Sequence, residues 1–448
     1  MHSWKYPADY SRRSLDILET ALGQLTAYKS WRAFDPGKEY PVDARFVAMP
    51  ELTKKDIRAH FPGGFVPDGR NVEQGLGSGE IKFVKTGGTT DISVTNIWNQ
   101  KWWDASEKAS WKLNAHLEKI ATGSHPEAIL VNPMNVGFIS DDADLPMAKR
   151  RTARFLYLNE KTDPASWTPQ LMDRMVQELG IFRPAVLEAN PSLLARLCRY
   201  IAGSNLKVFQ PGAIVFTYEY PTNFHYRQIR RVFHVPIVSS YGSTETGYVF
   251  MQCEQGRFHQ NSESCRLDFQ PLQQEHGGPY LGRVLVTNFN NPWYYIVRFD
   301  VGDLFRIEET GRCPCGRDSG IILSAVEGRA QNVTLTCAGR LVSQWEVDDA
   351  LSVLEGVDEY QLVQTTADSC TLYLVSRRAD KDRLREEATE IMKKIYGNGA
   401  NASVVYEDAI TAESSGKYRT TKALFPIEIE KYLDERYVLH QNKNQVGK

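Results

Sequence analysis

Residues 239–247 read Ser-Ser-Tyr-Gly-Ser-Thr-Glu-Thr-Gly, and the reading of the whole chain starts there. The apolar stretch Val232 to Val238 leads into a Tyr-Gly turn, and two hydroxyls and a carboxylate follow it. A glycine lets backbone approach a ligand that a side chain would hold off. Ser243 and Thr244 offer hydroxyls to phosphate or carboxylate oxygens, Glu245 a carboxylate to a divalent cation, and Tyr241 a flat face to a base. A run this short arises by chance, so the nucleotide reading depends on what accompanies it.

Four companions follow in order. Lys85 to Asp91 reads Lys-Thr-Gly-Gly-Thr-Thr-Asp after the β-like run Ile81 to Val84. Thr86, Thr89 and Thr90 carry hydroxyls, and Gly87 and Gly88 free the amides to form an anion-binding concavity. No Gly-Lys-Ser/Thr closes this loop, so it is not a Walker loop, and a hydroxyl-rich hairpin turn is an equal reading of it alone. Asp303 follows Gly302 at an expected strand end, a placement that suits a ribose diol or a plain turn. Glu327-Gly328-Arg329 opens a new segment, and Glu413-Ser414-Ser415-Gly416-Lys417 sets a lysine on a glycine-containing loop.

This ordered set resembles the adenylate-forming superfamily of acyl- and aryl-CoA synthetases, in particular its phenylacetate–CoA ligase-like branch. The stretch Met49-Pro50-Glu51-Leu52-Thr53-Lys54-Lys55-Asp56-Ile57-Arg58 is similar to that branch's opening, and the likeness runs over about residues 15 to 425. The resemblance implies an α/β fold: a large multi-layer N-terminal adenylation domain over 1–328 and a small, mobile α+β lid over 329–448. It implies ATP-dependent activation of a carboxylic acid, aromatic by the residues near the expected pocket (Phe138, Phe216, Tyr218, Tyr248), followed by transfer to coenzyme A. ATP would meet Thr86, Gly87, Gly88, Thr89, Thr90, Glu219, Tyr241, Gly242, Ser243, Thr244, Asp303 and Arg329. Glu245 would hold Mg²⁺, and Lys417, Glu245 and Thr244 would act in catalysis, Lys417 arriving with the lid. Tyr218 and Glu219 stand where the branch has a Gly-Glu pair.

The chain departs from the family at three places. Gly87 replaces a serine and Asp91 the last glycine of the phosphate loop. Gln331 and Asn332 stand where the hinge carries two aspartates, and the glycine past which pantetheine slides in the family is replaced by Ala338 or shifted to Gly339. Adenylation is therefore better supported than thioester formation. An amine or carrier-protein acceptor, or a nucleotide-binding homologue without catalysis, stays open.

The cysteines form a second pattern. Cys313-Pro314-Cys315-Gly316 is a tight knuckle, and Cys253 lies shortly before His259. Thiolates plus an imidazole suit zinc in a closed, structural tetrahedron. The long separation of the pairs leaves unconnected thiols equally open. Some members of the branch carry zinc at matching positions. Cys265 is a spare ligand candidate, and Cys198 reads as core.

Composition is that of a globular protein of at least two domains: 448 residues, 42% apolar, 24% charged. A net charge of −2 without basic runs gives no reason to expect nucleic acid. No membrane-length apolar stretch and no apolar leader core are seen, so a cytoplasmic monomer or homodimer is expected. Seven cysteines, an odd number, fit reduced thiols. Apolar spacing predicts a helix over 11–30, strands at 129–133, 213–217, 235–239 and 283–288, and helices at 169–180 and 191–203. Beyond Arg329 it predicts strand 333–336, helix 344–354, strands 359–366 and 371–377, a helix around Leu384–Ile395 and strand 403–406.

Overall fold

A computed structural model describes residues 4–85, 94–120, 123–413 and 417–436. The chain forms two compact units: one of 1–115, 241–326 and 428–448, the other of 116–240 and 327–427. The architecture is α/β, as the spacing of apolar residues predicts.

The first unit is built on an antiparallel sheet. Strand Cys265–Pro271 pairs Leu281–Asn288, which pairs Phe299–Ile307; Gly247–Gln252 pairs Phe258–Gln260, which pairs Ile322–Arg329. The expected helix 11–30 is shorter: an α-helix runs Tyr10–Gln24, and a 3₁₀ helix covers Thr26–Phe34. Leu25 turns extended between them. The Arg32 guanidinium donates to the carbonyls of Leu22 and Gly23, satisfying helix-end acceptors that have no intrahelical partner. An aromatic and aliphatic core that includes Tyr28, Phe46, Phe250 and Phe289 fills this unit.

The second unit begins with parallel strands: Glu127–Leu130 lies between Phe155–Tyr157 and Val186–Ala189, and Ala213–Phe216 joins Val186–Ala189 to Ile237–Ser243. Parallel strands need crossovers, and helices Pro169–Phe182, Pro191–Gly203 and Asn223–Arg230 supply them. Their starts are written locally. Thr168, Asn190 and Thr222 accept hydrogen bonds from first-turn amides, and a proline follows the first two caps, where a missing N–H costs nothing. Ala128, Leu130, Leu156, Leu187, Ala189, Ile214 and Phe216 bury one sheet face under these helices. Phe216 is therefore core, which corrects the expectation that it lines a pocket; Cys198 is core as read.

Residues 327–427 carry a four-stranded sheet in the order 401–406, 369–376, 357–366, 421–423, with helices Gln344–Leu351 and Lys381–Tyr396. The Val357–Thr366/Ser369–Ser376 pair is a hairpin, flanked on both sides by parallel strands. Phe224, from the helix Asn223–Arg230, enters the core of this part beside Tyr360.

Candidate active site and metal centre

In the first unit the Tyr-Gly-Ser-Thr-Glu run lies on a hairpin. Tyr241, Gly242 and Ser243 end the strand Ile237–Ser243, and the turn falls on Thr244, Glu245 and Thr246. The Tyr-Gly turn expected from sequence is thus strand, and the reversal comes three residues later. A Cβ on Gly242 would sit 2.4 Å from the Gly247 carbonyl oxygen. This glycine answers to its own hairpin, a tighter constraint than the ligand approach read from the sequence. Ser243 and Thr246 exchange a hydroxyl hydrogen bond at 2.9 Å, and the Thr246 amide donates to the Ser243 carbonyl. Thr246, fully buried, was not singled out from the sequence.

The Tyr241 hydroxyl donates to Asp303 Oδ2 at 2.6 Å. Two residues read separately as base and ribose contacts, 62 positions apart, are therefore joined. Asp303 lies within the strand Phe299–Ile307, not at its end, because Gly302 takes φ +77° and the pairing continues past it. Phe305 meets the Tyr241 ring edge-on at 5.0 Å and leaves the ring half-buried. Glu245 is 3% exposed, and its charge adds to burial in raising the Tyr294 phenol. Thr244 is half-buried on the turn. Close by in sequence, Tyr248 donates to Glu107 Oε1 at 3.1 Å and contacts Trp103, which stacks against Trp98 at 4.2 Å. This aromatic group was not legible as such, since its members come from different segments.

The phosphate-loop residues Thr86, Gly87, Gly88, Thr89 and Thr90, with Asp91, lie outside the described residues. The strands that border the loop, Lys82–Lys85 and Thr95–Trp98, are antiparallel with Lys85 opposite Thr95.

In the second unit Glu219 accepts from the Ser192 hydroxyl at 2.7 Å and from the Tyr418 amide at 2.9 Å. Burial raises its carboxyl above the ordinary range, while those donors and the Lys417 charge pull it back. Lys417 and Glu219 are thus brought together. Of the loop leading to Lys417, residues 414–416 lie outside the described residues. The Lys417 carbonyl accepts from the Glu413 amide, which holds the loop base closed. Tyr218 has φ +73°, a left-handed backbone that suits glycine and strains tyrosine, and its phenol bonds Glu188. Arg329 ends the strand Ile322–Arg329. Of the departures after it, Asn332 uses its side chain: Arg419 donates to Asn332 Oδ1 at 2.7 Å, and to the backbone carbonyl of Gln331 at 2.6 Å. Arg419 had no signal in the sequence.

The cysteine knuckles meet. One ligand atom from each of Cys253, His259, Cys313 and Cys315 lies within 4.8 Å of the others. Cys253 Sγ and Cys313 Sγ are 3.6 Å apart, and Cys315 Sγ lies 3.3 Å from His259 Nε2. A tetrahedron with zinc–sulfur bonds of about 2.3 Å needs sulfurs roughly 3.8 Å apart, so the donor set fits that ion. Burial, helped by Arg317, lowers His259 to about 4, leaving a neutral imidazole able to ligate. Backbone amides of Gln255 and Arg317 point at the sulfurs of Cys253 and Cys315, as in metal knuckles. Cys265, the spare candidate, instead donates to the Asn261 carbonyl and stays out of the quartet.

Residues 335–423 match the model of the CapK C-terminal domain. No curated protein sequence matches the chain. Among solved structures, 2-hydroxyisobutyryl-CoA ligase in the postadenylation state with 2-HIB-AMP is similar over 99% of this chain and 94% of that one, at 17% identity and TM-score 0.70. The anthranilate CoA ligase AuaEII with anthranoyl-AMP is similar over 76% and 65%, at 13% identity and TM-score 0.52. The amide bond synthetase McbA from Marinactinospora thermotolerans is similar over 79% and 70%, at 13% identity and TM-score 0.50. The fold is that of the adenylate-forming CoA ligases and their relatives.

Proposed function

We propose that this protein activates a carboxylic acid with ATP, forming an acyl adenylate and pyrophosphate. The observation that carries the reading is the Tyr241–Asp303 hydrogen bond beside the Thr244–Thr246 turn. A flat ring and a carboxylate suited to a ribose diol share that bond, and the turn hydroxyls follow Tyr241 in the chain, which supports a nucleotide site. Residues 1–328 would hold ATP and the acid, with 329–448 as the mobile lid that carries Lys417.

Little general acid–base chemistry is needed; the residues position and stabilise charge. Tyr241 would face the base, Asp303 the ribose, Thr244 and Ser243 the phosphate oxygens, and residues 86–90 the β- and γ-phosphates. A magnesium ion offsets phosphate charge when bound, and the single buried carboxylate of Glu245 suits an ion that takes few protein ligands. Lys417 would donate to the attacking carboxylate and to the bridging oxygen. The Cys253/His259/Cys313/Cys315 quartet is proposed as a closed, structural zinc site.

The finer reading is an aryl-CoA ligase of the phenylacetate–CoA ligase-like kind, working in the cytoplasm. The aromatic group around Tyr248, Trp103 and Trp98 supports an aryl acid, as does the Phe138 ring stacked on Tyr157 at 4.5 Å. Coenzyme A is the proposed acceptor. An amine acceptor is the second reading, favoured by Gln331 and Ala338, which stand where the family has other residues. ATP–pyrophosphate exchange over a panel of carboxylic acids tests the core of the proposal. Exchange that depends on an added acid is expected, and its absence across the panel would sink the adenylation reading.

A further inference from the structure

Helix Asn223–Arg230 runs up to the end of helix Gln344–Leu351, both in the second unit. Beside that contact lies an open concavity of about 480 Å³, lined by Asn223, Tyr226, Arg227, Arg230, Arg231 and Ser352. Three of the six lining residues are arginines.

Arg227 is fixed. Its guanidinium donates to the carbonyls of Ser352, the C-cap of helix Gln344–Leu351, and of Leu354 just beyond it, the second at 2.9 Å. Arg230 lies over the Tyr226 ring, 5.3 Å from its centroid, and Arg231 follows as an exposed helix cap. The carboxylates of the strand Val357–Thr366 are held elsewhere: Asp358 by Arg377 at 2.8 Å, and Glu359 by Arg199. Among the described residues no ion pair to a carboxylate forms at Arg227, Arg230 or Arg231. Three guanidiniums thus share one concavity in a chain whose net charge is −2. Arginine forks match phosphate oxygens in charge and geometry.

We propose that this concavity binds a phosphate-bearing ligand, with Arg227 as its rigid anchor and Arg230 and Arg231 closing on the anion. Because its walls come from both the Asn223–Arg230 helix and Ser352, an occupant would also favour the contact between those segments. Two sources share the chemistry: a free phosphate or pyrophosphate, and the terminal phosphate of a larger molecule such as a 3′-phosphonucleotide.

The test is equilibrium binding to the full chain of inorganic pyrophosphate, coenzyme A and dephospho-coenzyme A, for the natural protein and an Arg230→Ala/Arg231→Ala double variant. Binding is read without turnover, so an inactive protein would still report. Any pyrophosphate held at the proposed nucleotide site would be common to both proteins and cancel. The variant should bind pyrophosphate about tenfold or more weakly, the scale of losing charge-assisted contacts, with an unchanged melting temperature. Added salt should shrink the difference. A preference for coenzyme A over dephospho-coenzyme A that vanishes in the variant supports the nucleotide source; equal losses for all three support the free anion. An Arg230→Lys/Arg231→Lys variant should recover part of the affinity. Equal affinities of natural protein and alanine variant for every probe, or a loss that the lysine variant fails to reduce, would overturn the site and leave a solvated basic patch.

Discussion

Lys417 is half-buried beside Glu219, and the base of its loop is closed by the Glu413–Lys417 backbone bond, which a side-chain change leaves in place. Lys417→Ala should therefore leave the melting temperature nearly unchanged while acyl-AMP formation falls about 10²- to 10³-fold, the usual scale for losing one preorganised donor. Conversion of supplied acyl-AMP to product should survive. Equal loss in both half-reactions would rule out a lid that withdraws the lysine. At Tyr241 a single atom is at issue. Tyr241→Phe removes the hydroxyl that Asp303 accepts, and Asp303 is only 6% exposed. A lost hydrogen bond to a buried charge costs about 1.5–3 kcal/mol. A rise of roughly ten- to a hundred-fold in the KM for ATP is expected in steady-state assays, and an unchanged KM would remove Asp303 from the nucleotide site. These residues were legible in the sequence because each sits in a short local motif. Thr246 and Arg419 were not, because their meaning comes from partners that only folding supplies.

At the scale of elements, Asp348 joins two helices. It lies on Gln344–Leu351 and accepts from both the amide and the side-chain nitrogen of Asn223, at 2.8 and 2.9 Å. Burial raises its carboxyl from 3.8 to about 7, although the Asn223 hydrogen bonds oppose this. A folded pKa above the unfolded one means that the folded state holds the proton more tightly. The stability this group contributes is complete below about pH 4 and is lost progressively as pH rises to about 7, on the order of 4 kcal/mol in all. Asp348→Asn keeps an acceptor for Asn223 and removes the titration. The variant should match the natural protein near pH 4 and melt higher at pH 8; parallel melting curves across that range would contradict the raised pKa. The hairpin that presents Tyr241 depends on Gly242 in the same way. Gly242→Ala drives a methyl against the Gly247 carbonyl and should destabilise the fold by about 1–3 kcal/mol, measured by denaturant titration. A variant as stable as the natural protein would show that the hairpin opens at no cost.

At the scale of the whole molecule, the zinc proposed for Cys253, His259, Cys313 and Cys315 would tie strand ends and a turn into one shell. Protein made under reducing, metal-replete conditions should contain about one zinc per chain by elemental analysis. Cys313→Ser should lower both zinc content and melting temperature while nucleotide affinity changes little, since structural zinc binding adds to folding free energy. Zinc-free protein with an undiminished melting temperature would refute the site. Among the described residues no helix is long and apolar enough to cross a membrane.

The sequence by itself determined the periodic features. Apolar strands alternating with helical stretches announced an α/β fold, and the change of pattern after Arg329 announced the α+β part where the CapK C-terminal model begins to match, at 335. Such signals are local: period, caps and turn residues all lie within a few positions of one another. Only the tertiary structure decided the rest. It closed Tyr241 on Asp303 and gathered three thiols and an imidazole from two distant pairs. It ended the first helix at Gln24 through Arg32, and it sent Phe216 to the core rather than to a pocket. Each of these depends on a contact between segments far apart in the chain, whose loop-closure entropy is offset only when the whole core packs. No window of sequence contains that information.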